Sequence, residues 1–247
     1  MAIGATELIE QFKAEAIRTG AVVYEAKDAE DASNYVLKLA QERNVKHVVK
    51  SKSHLAVDVR LREQFEKSGI EVTETDLGEW IAQLARGRSA NDASQAQGIE
   101  QVAELVSKAT GEKLEPDPQA VLNAARHTFR QACIKADMGI SEASIGIAET
   151  GTLVIISNEG NARLVAVLPV LHATLIDCEK LVPAMEDATA NLQSLNQSST
   201  SWEMPSYVTY ITGRNTTGDI PGALMARAQG PEEEHIVLVN KAVGKRE

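Results

Sequence analysis

Four consecutive apolar residues, Leu153-Val154-Ile155-Ile156, stand between Gly151 and Gly160 and constrain this chain more than any other feature. A half-exposed strand alternates apolar and polar side chains, so an unbroken run bounded by turns reads as a strand buried on both faces. It lies within the stretch 144–177, the densest collection of β-branched residues in the sequence. Two polar turns flank it, Glu149-Thr150-Gly151-Thr152 before and Asn158-Glu159-Gly160-Asn161 after. Each puts a carboxylate, small hydroxyl or amide groups and backbone N–H donors at the end of an apolar strand. Two readings fit. The turns line a small-molecule pocket, or they are hairpin turns in which Gly and Asn supply positive φ.

The N-terminal third alternates between helix and strand. Leu8, Ile9, Phe12, Ala16 and Ile17 share one helical stripe, which stops at Thr19-Gly20. A strand follows at 21–24, then a helix with Ala32, Tyr35, Val36, Leu39 and Ala40 on its apolar face, and a strand at 45–49. The spacing then predicts a helix over 54–68, a third strand ending in Thr73-Glu74-Thr75-Asp76, and a helix over 77–86. Short connections between such elements are the signature of a parallel sheet under helices, and ligands in these sheets bind beyond the carboxyl ends of strands. Lys50-Ser51-Lys52-Ser53 occupies one such end. Its lysines form either an anion clamp or an ordinary solvated loop.

Residues 87–98 (GRSANDASQAQG) are small, polar and aperiodic, and read as a linker. Helices are expected over 99–110, 119–136 and 184–195, a Ser/Thr-rich loop over 197–204, and strands at 206–211 and 235–240. The expected organisation is a single domain over 1–247, with an N-terminal α/β part (about 1–86), the linker (about 87–98) and a β-rich core (about 136–240).

Charge and cysteine content remove several functions. With 25 Lys plus Arg against 35 Asp plus Glu, the net charge is −10, and no basic stripe is present to neutralise nucleic-acid phosphates. Cys133 and Cys178 are far apart and form no C-x-x-C pair, so alone they assemble neither a disulfide framework, a zinc site nor an iron–sulfur cluster. No metal site is expected. The N-terminus lacks the basic and apolar regions of a signal peptide, and no apolar run approaches the roughly 20 residues of a membrane span. A cytoplasmic protein is the expectation.

Several motifs go beyond generic α/β. These are VVKSKS (48–53), GIEVTETDLGEWIAQL (69–84), ADMGIS (136–141), IAETGTLV (147–154), SNEGNARL (157–164), LPVLHATLID (168–177), YITG (210–213) and GPEEEHIVLVN (230–240). In this order they resemble the LUD domain of lactate-utilisation proteins, most closely the LUD portion of the iron–sulfur subunit of L-lactate oxidation. The resemblance implies an α/β sandwich of the NagB/RpiA/CoA-transferase kind, with a mostly parallel central sheet flanked by helices. It also implies a part in oxidising L-lactate to pyruvate with iron–sulfur partner subunits. The cysteine-rich region that follows in that subunit has no counterpart in these 247 residues, so the clusters are expected in partners and none in this chain. A homo-oligomer is left open.

A small carboxylate needs a cation or oriented N–H donors, and its hydroxyl or carbonyl needs a polar partner. Lys50, Lys52, Arg163 and Arg214 are the candidate anion binders, backed by Ser51, Ser53, Thr212 and Gly213. Thr150, Gly151, Thr152, Asn158, Gly160 and Asn161 supply the polar turns. Glu149 and Glu159 are the candidate bases or nucleophiles. Among the five histidines, His172 is the acid–base candidate because imidazole titrates near neutral pH. Two other classes stay open: an acyl- or CoA-transferase-like enzyme using a turn glutamate, and a non-catalytic binding module.

Overall fold

The computed structural model describes residues 4–85, 98–198, 205–226 and 228–240. Apart from Gly98 the expected linker lies outside them, and the expected loop at 197–204 lies outside them beyond Ser198. The chain begins with α1 (Ala5–Arg18), β1 (Val22–Ala26), α2 (Ala29–Glu42), β2 (His47–Lys50), α3 (His54–Asp58), α4 (Leu61–Lys67), β3 (Glu71–Glu74) and α5 (Leu77–Ala85). Next come α6 (Ile99–Thr110), α7 (Pro118–Lys135), β4 (Met138–Glu142), β5 (Ile145–Ile147), β6 (Thr152–Ser157), α8 (Asn161–Val167), β7 (Leu171–Asp177) and β8 (Leu181–Val182). The last described elements are α9 (Met185–Ser198), β9 (Tyr207–Thr212), the short strands β10 (Thr216–Thr217) and β11 (Met225–Ala226), and β12 (Glu233–Val239).

Six strands form the central sheet in the order β1-β12-β7-β4-β2-β3, and every neighbouring pair is parallel. This is the α/β arrangement expected from the alternation. Val48, Met138, Ile140, Leu175 and Val237 point to one face, where α2, α3 and α4 cover them. On the other face Ile176, Ile236 and Leu238 pack against Phe12 and Ala16 of α1 and Leu153 of β6. There, too, Val49 packs against Cys133 of α7 and Val165 of α8.

A second sheet of four strands, β8-β5-β6-β9, lies on this second face. β6 runs antiparallel to both β5 and β9. Leu153 and Val154 are fully buried and Ile155 is 3% exposed, because β6 meets α1 on one side and α9 on the other. The doubly buried run therefore belongs to the antiparallel layer, not to the parallel sheet.

Two local expectations need correction. The helix over 54–68 is broken at Arg60, whose left-handed φ of 51° separates α3 from α4. The bend turns Leu55 and Ala56 and then Leu61 and Phe65 toward the same sheet face, burial that offsets roughly 1–3 kcal/mol of backbone strain. The turn at 158–160 opens no hairpin either. It leads into α8, with Gly160 at φ 76° as the residue before the first helical turn. α8 lies directly on β4 because Gly139 has no side chain, and a Cβ there would sit 2.0 Å from the Val165 carbonyl oxygen. That close approach holds the Glu159 turn at the carboxyl rim of the central sheet.

Candidate functional site

A cavity of about 250 Å³ opens at the carboxyl ends of β2, β3 and β4, lined by Ser51, Lys52, Asp76, Glu142, Ser157, Asn158, Glu159 and Asn161 above Ile155, Ile156 and Ala162. Backbone pairing builds its floor. The Ser51 N–H donates to the Ile140 carbonyl (3.0 Å), and the Thr75 N–H to the Lys50 carbonyl (2.8 Å), so the three strand ends are tied together. Asn161 Nδ2 donates to the Thr75 carbonyl (3.0 Å) and clamps the start of α8 to the end of β3. The Ser206 N–H donates to Asn158 Oδ1 (3.0 Å), which fixes that side chain in the turn.

The charges in this cavity are not equivalent. Asp76 Oδ1 accepts the Glu79 N–H (3.0 Å) at the start of α5, a capping task. Glu142 is half-buried, and burial alone would raise its pKa. The Lys180 ammonium at 2.6 Å, the Leu55 N–H and the Ser53 hydroxyl outweigh that and hold it below the ordinary carboxylate range. Glu159 moves the other way. Partial loss of hydration raises its pKa first, the Asp76 charge raises it further, and Lys52 offsets only part of this. Glu159 is thus a carboxyl group poised above its usual range next to an exposed ammonium.

The sequence candidates divide between two ends of β6. Ser51, Lys52, Asn158, Glu159 and Asn161 meet at the cavity, with Gly160 shaping the turn. Glu149, Thr150, Gly151, Thr152, Thr212, Gly213 and Arg214 lie at the opposite end, about 20 Å away along six residues of strand. Glu149 Oε1 accepts the Met185 N–H (2.9 Å) at the start of α9. The hydroxyls of Thr150, Thr152 and Thr212 form a chain with two 2.7 Å steps. Gly151 and Gly213 have positive φ and press against α1 and its end, where added Cβ atoms would lie 2.2 Å from the Ala16 nitrogen and 2.0 Å from the Thr19 carbonyl oxygen. The Arg214 stem lies over Gly20. The two carboxylate turns therefore do not converge.

Three more candidates sit elsewhere. Lys50 points to the opposite sheet face, 2% exposed, with its ammonium 2.9 Å from Glu74 Oε2. Ser53 Oγ caps α3 by accepting the Ala56 N–H (2.9 Å). Arg163 projects from α8 into a neighbouring groove.

His172, on β7 of the central sheet, is fully buried. Its Nε2 is 2.9 Å from Ser141 Oγ and its Nδ1 is 2.7 Å from Glu234 Oε2, while the Thr174 hydroxyl donates to Glu234 Oε1 (3.0 Å). The order hydroxyl–imidazole–carboxylate has the geometry of a nucleophilic triad. With every member 0–1% exposed, no substrate reaches it, and it serves as a hydrogen-bonded tie across β4, β7 and β12.

Sequence reasoning left out Asp76, Glu142 and Ser157. The strand-end position of the TETD motif marked Asp76, but nothing local marked Glu142, which arrives from a strand 66 residues later in the chain than Asp76.

An iron–sulfur cluster does not fit these residues. Among the described residues no group of three or more His, Cys, Asp or Glu side chains is placed to hold a metal ion. Burial pushes the Cys133 thiol up to about 11, and burial with the charges of Glu25 and Asp177 does the same for Cys178. Neither is a ready thiolate ligand. No described helix is long and apolar enough to cross a membrane.

Comparison with known proteins agrees with this fold. The family model of the LUD domain matches residues 9–239. Lactate utilization protein B of Bacillus velezensis is 32% identical over 235 residues, covering 94% of this chain and 48% of the relative. The protein of the same name from Bacillus subtilis is 34% identical over 226 residues, covering 90% and 46%. The chain thus spans about half the length of the curated relatives it matches. The crystal structure of a DUF162 family protein from Deinococcus radiodurans has the same fold, with a TM-score of 0.53 at 11% identity over 97% of this chain and 100% of that one.

Proposed function

The chain belongs to the LUD domain family, and we propose that it serves lactate utilisation by holding a small hydroxy or keto acid in the rim cavity. L-lactate is oxidised there to pyruvate in concert with iron–sulfur partner subunits. What carries this reading is the meeting of Lys52, Asn158, Glu159 and Asn161 at one cavity, in a chain 32% identical to a protein named for lactate utilisation.

Each group has a chemical task. The exposed Lys52 ammonium pairs with the substrate carboxylate. Asn158, its Oδ1 already taken, has amide N–H donors left for the substrate's C2 oxygen, as does the Ser51 hydroxyl. Glu159 takes the hydroxyl proton as the C2 oxygen becomes a carbonyl, and a pKa raised above the ordinary carboxylate range makes it a stronger base than an exposed carboxylate. The reaction releases two electrons and two protons. Glu159 receives one proton as the O–H bond breaks; the C2–H bond breaks too, and its hydrogen and the electron pair pass to an oxidant carried by the iron–sulfur partner subunits.

Glu142 and Asp76 bear negative charge beside an anionic substrate, yet both are engaged. Lys180 neutralises Glu142, and Asp76 caps α5. The Lys52 ammonium then faces the substrate carboxylate with only Glu159 as an unengaged carboxyl group beside it.

Deleting this chain from a host that grows on L-lactate, and complementing it with the intact gene, tests the assignment. The expected outcome is loss of lactate-dependent dye reduction in extracts, restored by complementation. Unchanged reduction in the deletion strain would overturn it.

A further inference from the structure

A larger groove of about 750 Å³ adjoins the rim cavity and shares Glu159 and Asn161 with it. Its floor is apolar, built by Leu77, Leu122, Phe129, Leu164 and Tyr207. Phe129 is held edge-on against the buried Trp80 at 5.0 Å between ring centroids, so its position is fixed. Tyr207 lies against Gly160 and remains 44% exposed, which leaves ring surface open to the groove.

The same groove collects three exposed guanidiniums. Arg126 and Arg130 are one helical turn apart on α7, and Arg163 comes from α8. Among the described residues none of the three forms an ion pair, although the chain carries a net charge of −10. Exposed Arg18, Arg43 and Lys108 are matched with glutamates, and exposed Lys27, Lys46 and Lys67 stand unmatched among the described residues; what distinguishes the groove is that three unmatched arginines line one concave site. A cluster of unmatched arginines over an aromatic floor is costly in mutual repulsion unless an anion completes it.

We propose that this groove binds a phosphate-bearing ligand with a flat ring, of the nucleotide class. The ring lies on Tyr207 and the leucines, and at least two phosphate charges meet the arginine forks. A planar guanidinium matches phosphate oxygens two at a time, and a stacked base uses aromatic surface without needing a specific edge. A volume of about 750 Å³ lies within the range of small-molecule sites, and the shared wall places this ligand next to the small-acid cavity.

Calorimetric titration of the intact chain with ADP, adenosine, inorganic phosphate and an acidic tyrosine-containing peptide tests this. ADP is expected to bind at least about tenfold more tightly than adenosine or phosphate, and to weaken as salt rises. The triple variant R126A/R130A/R163A is expected to lose about 100-fold or more, since charged hydrogen bonds are among the stronger ones. Because all three side chains are exposed, the variant should keep its circular dichroism spectrum. Replacement of all three by Lys should lose roughly tenfold, since charge without the fork binds less well. Three results would each overturn the proposal: ADP binding no tighter than phosphate, equal affinity in the triple alanine variant, or the peptide outcompeting ADP. The small-acid reading is scored separately by pyruvate, so either can fail alone.

Discussion

Glu159→Gln is expected to cut lactate-dependent reduction by about 10²–10⁴-fold, the usual contribution of a positioned general base, while leaving pyruvate binding as tight or tighter. The split follows from the charges at the rim. The glutamine amide cannot take the hydroxyl proton, so turnover falls. It also removes a negative charge that faces Asp76 and the substrate carboxylate, so the ground state loses nothing. The pH profile gives the same information. As a base Glu159 works only when ionised, so the rate should fall as pH drops through a value above the ordinary carboxylate range of about 4.3. Product binding should strengthen over the same interval. A variant that lost binding and turnover equally would make Glu159 a contact rather than a base.

Lys50→Met is expected to destabilise the fold by about 3–5 kcal/mol, because it leaves a buried carboxylate without its partner. Lys50 and Glu74 face each other in register on β2 and β3 and are 2% and 1% exposed. The ammonium stands 2.9 Å from Glu74 Oε2 in a charge contact without hydrogen-bond alignment, and Arg62 approaches the other oxygen at 3.7 Å. Burial raises the Glu74 pKa, and Lys50 is the main group opposing that rise. For a domain of this size the loss corresponds to a melting temperature lower by roughly 6–20 °C.

The sign of the pH dependence follows. A carboxyl group whose folded pKa lies above its unfolded value favours the fold below the unfolded pKa, and loses that contribution as pH rises through the folded one. Removing Lys50 raises the folded value further, so the variant's deficit should be smaller at pH 5 than at pH 8. The double variant Lys50→Met/Glu74→Leu should recover most of the loss, since an apolar pair of similar volume replaces the charges. Arg62 retains Glu66 at 3.6 Å. A Lys50→Met variant as stable as the parent would show that the pair carries no net stabilisation.

The parallel sheet was readable from the chain because its signals are local. Apolar stripes such as Phe12 and Ala16 or Val36 and Leu39 repeat at helical spacing, and short polar turns separate them from β-branched strands. Half of the site was readable for the same reason. Ser51 and Lys52 follow the end of β2, and strand ends of a parallel sheet share one rim, whereas Glu159 follows a strand of the antiparallel layer and reaches that rim through the seating of α8 on β4.

What the chain could not reveal depends on pairing between distant segments. Glu149 and Glu159 look equivalent in sequence, yet they stand at opposite ends of β6, and only one end meets β2 and β3. Asn158-Glu159-Gly160 serves a hairpin or a helix start equally well, and the missing side chain of Gly139 on β4 favours the helix. Lys50 is spent on Glu74 through a register that no window of neighbouring residues contains. The tie of Ser141, His172 and Glu234 likewise needs three strands in order.

Recording backbone amide shifts while pyruvate is titrated into the chain tests the rim site most directly. Saturable shifts are predicted at Ser51, Lys52, Asp76 and residues 157–162, and they should vanish in Lys52→Met. Shifts gathered instead at Thr150, Thr152 and Thr212, or no saturable shift at any amide, would contradict the account.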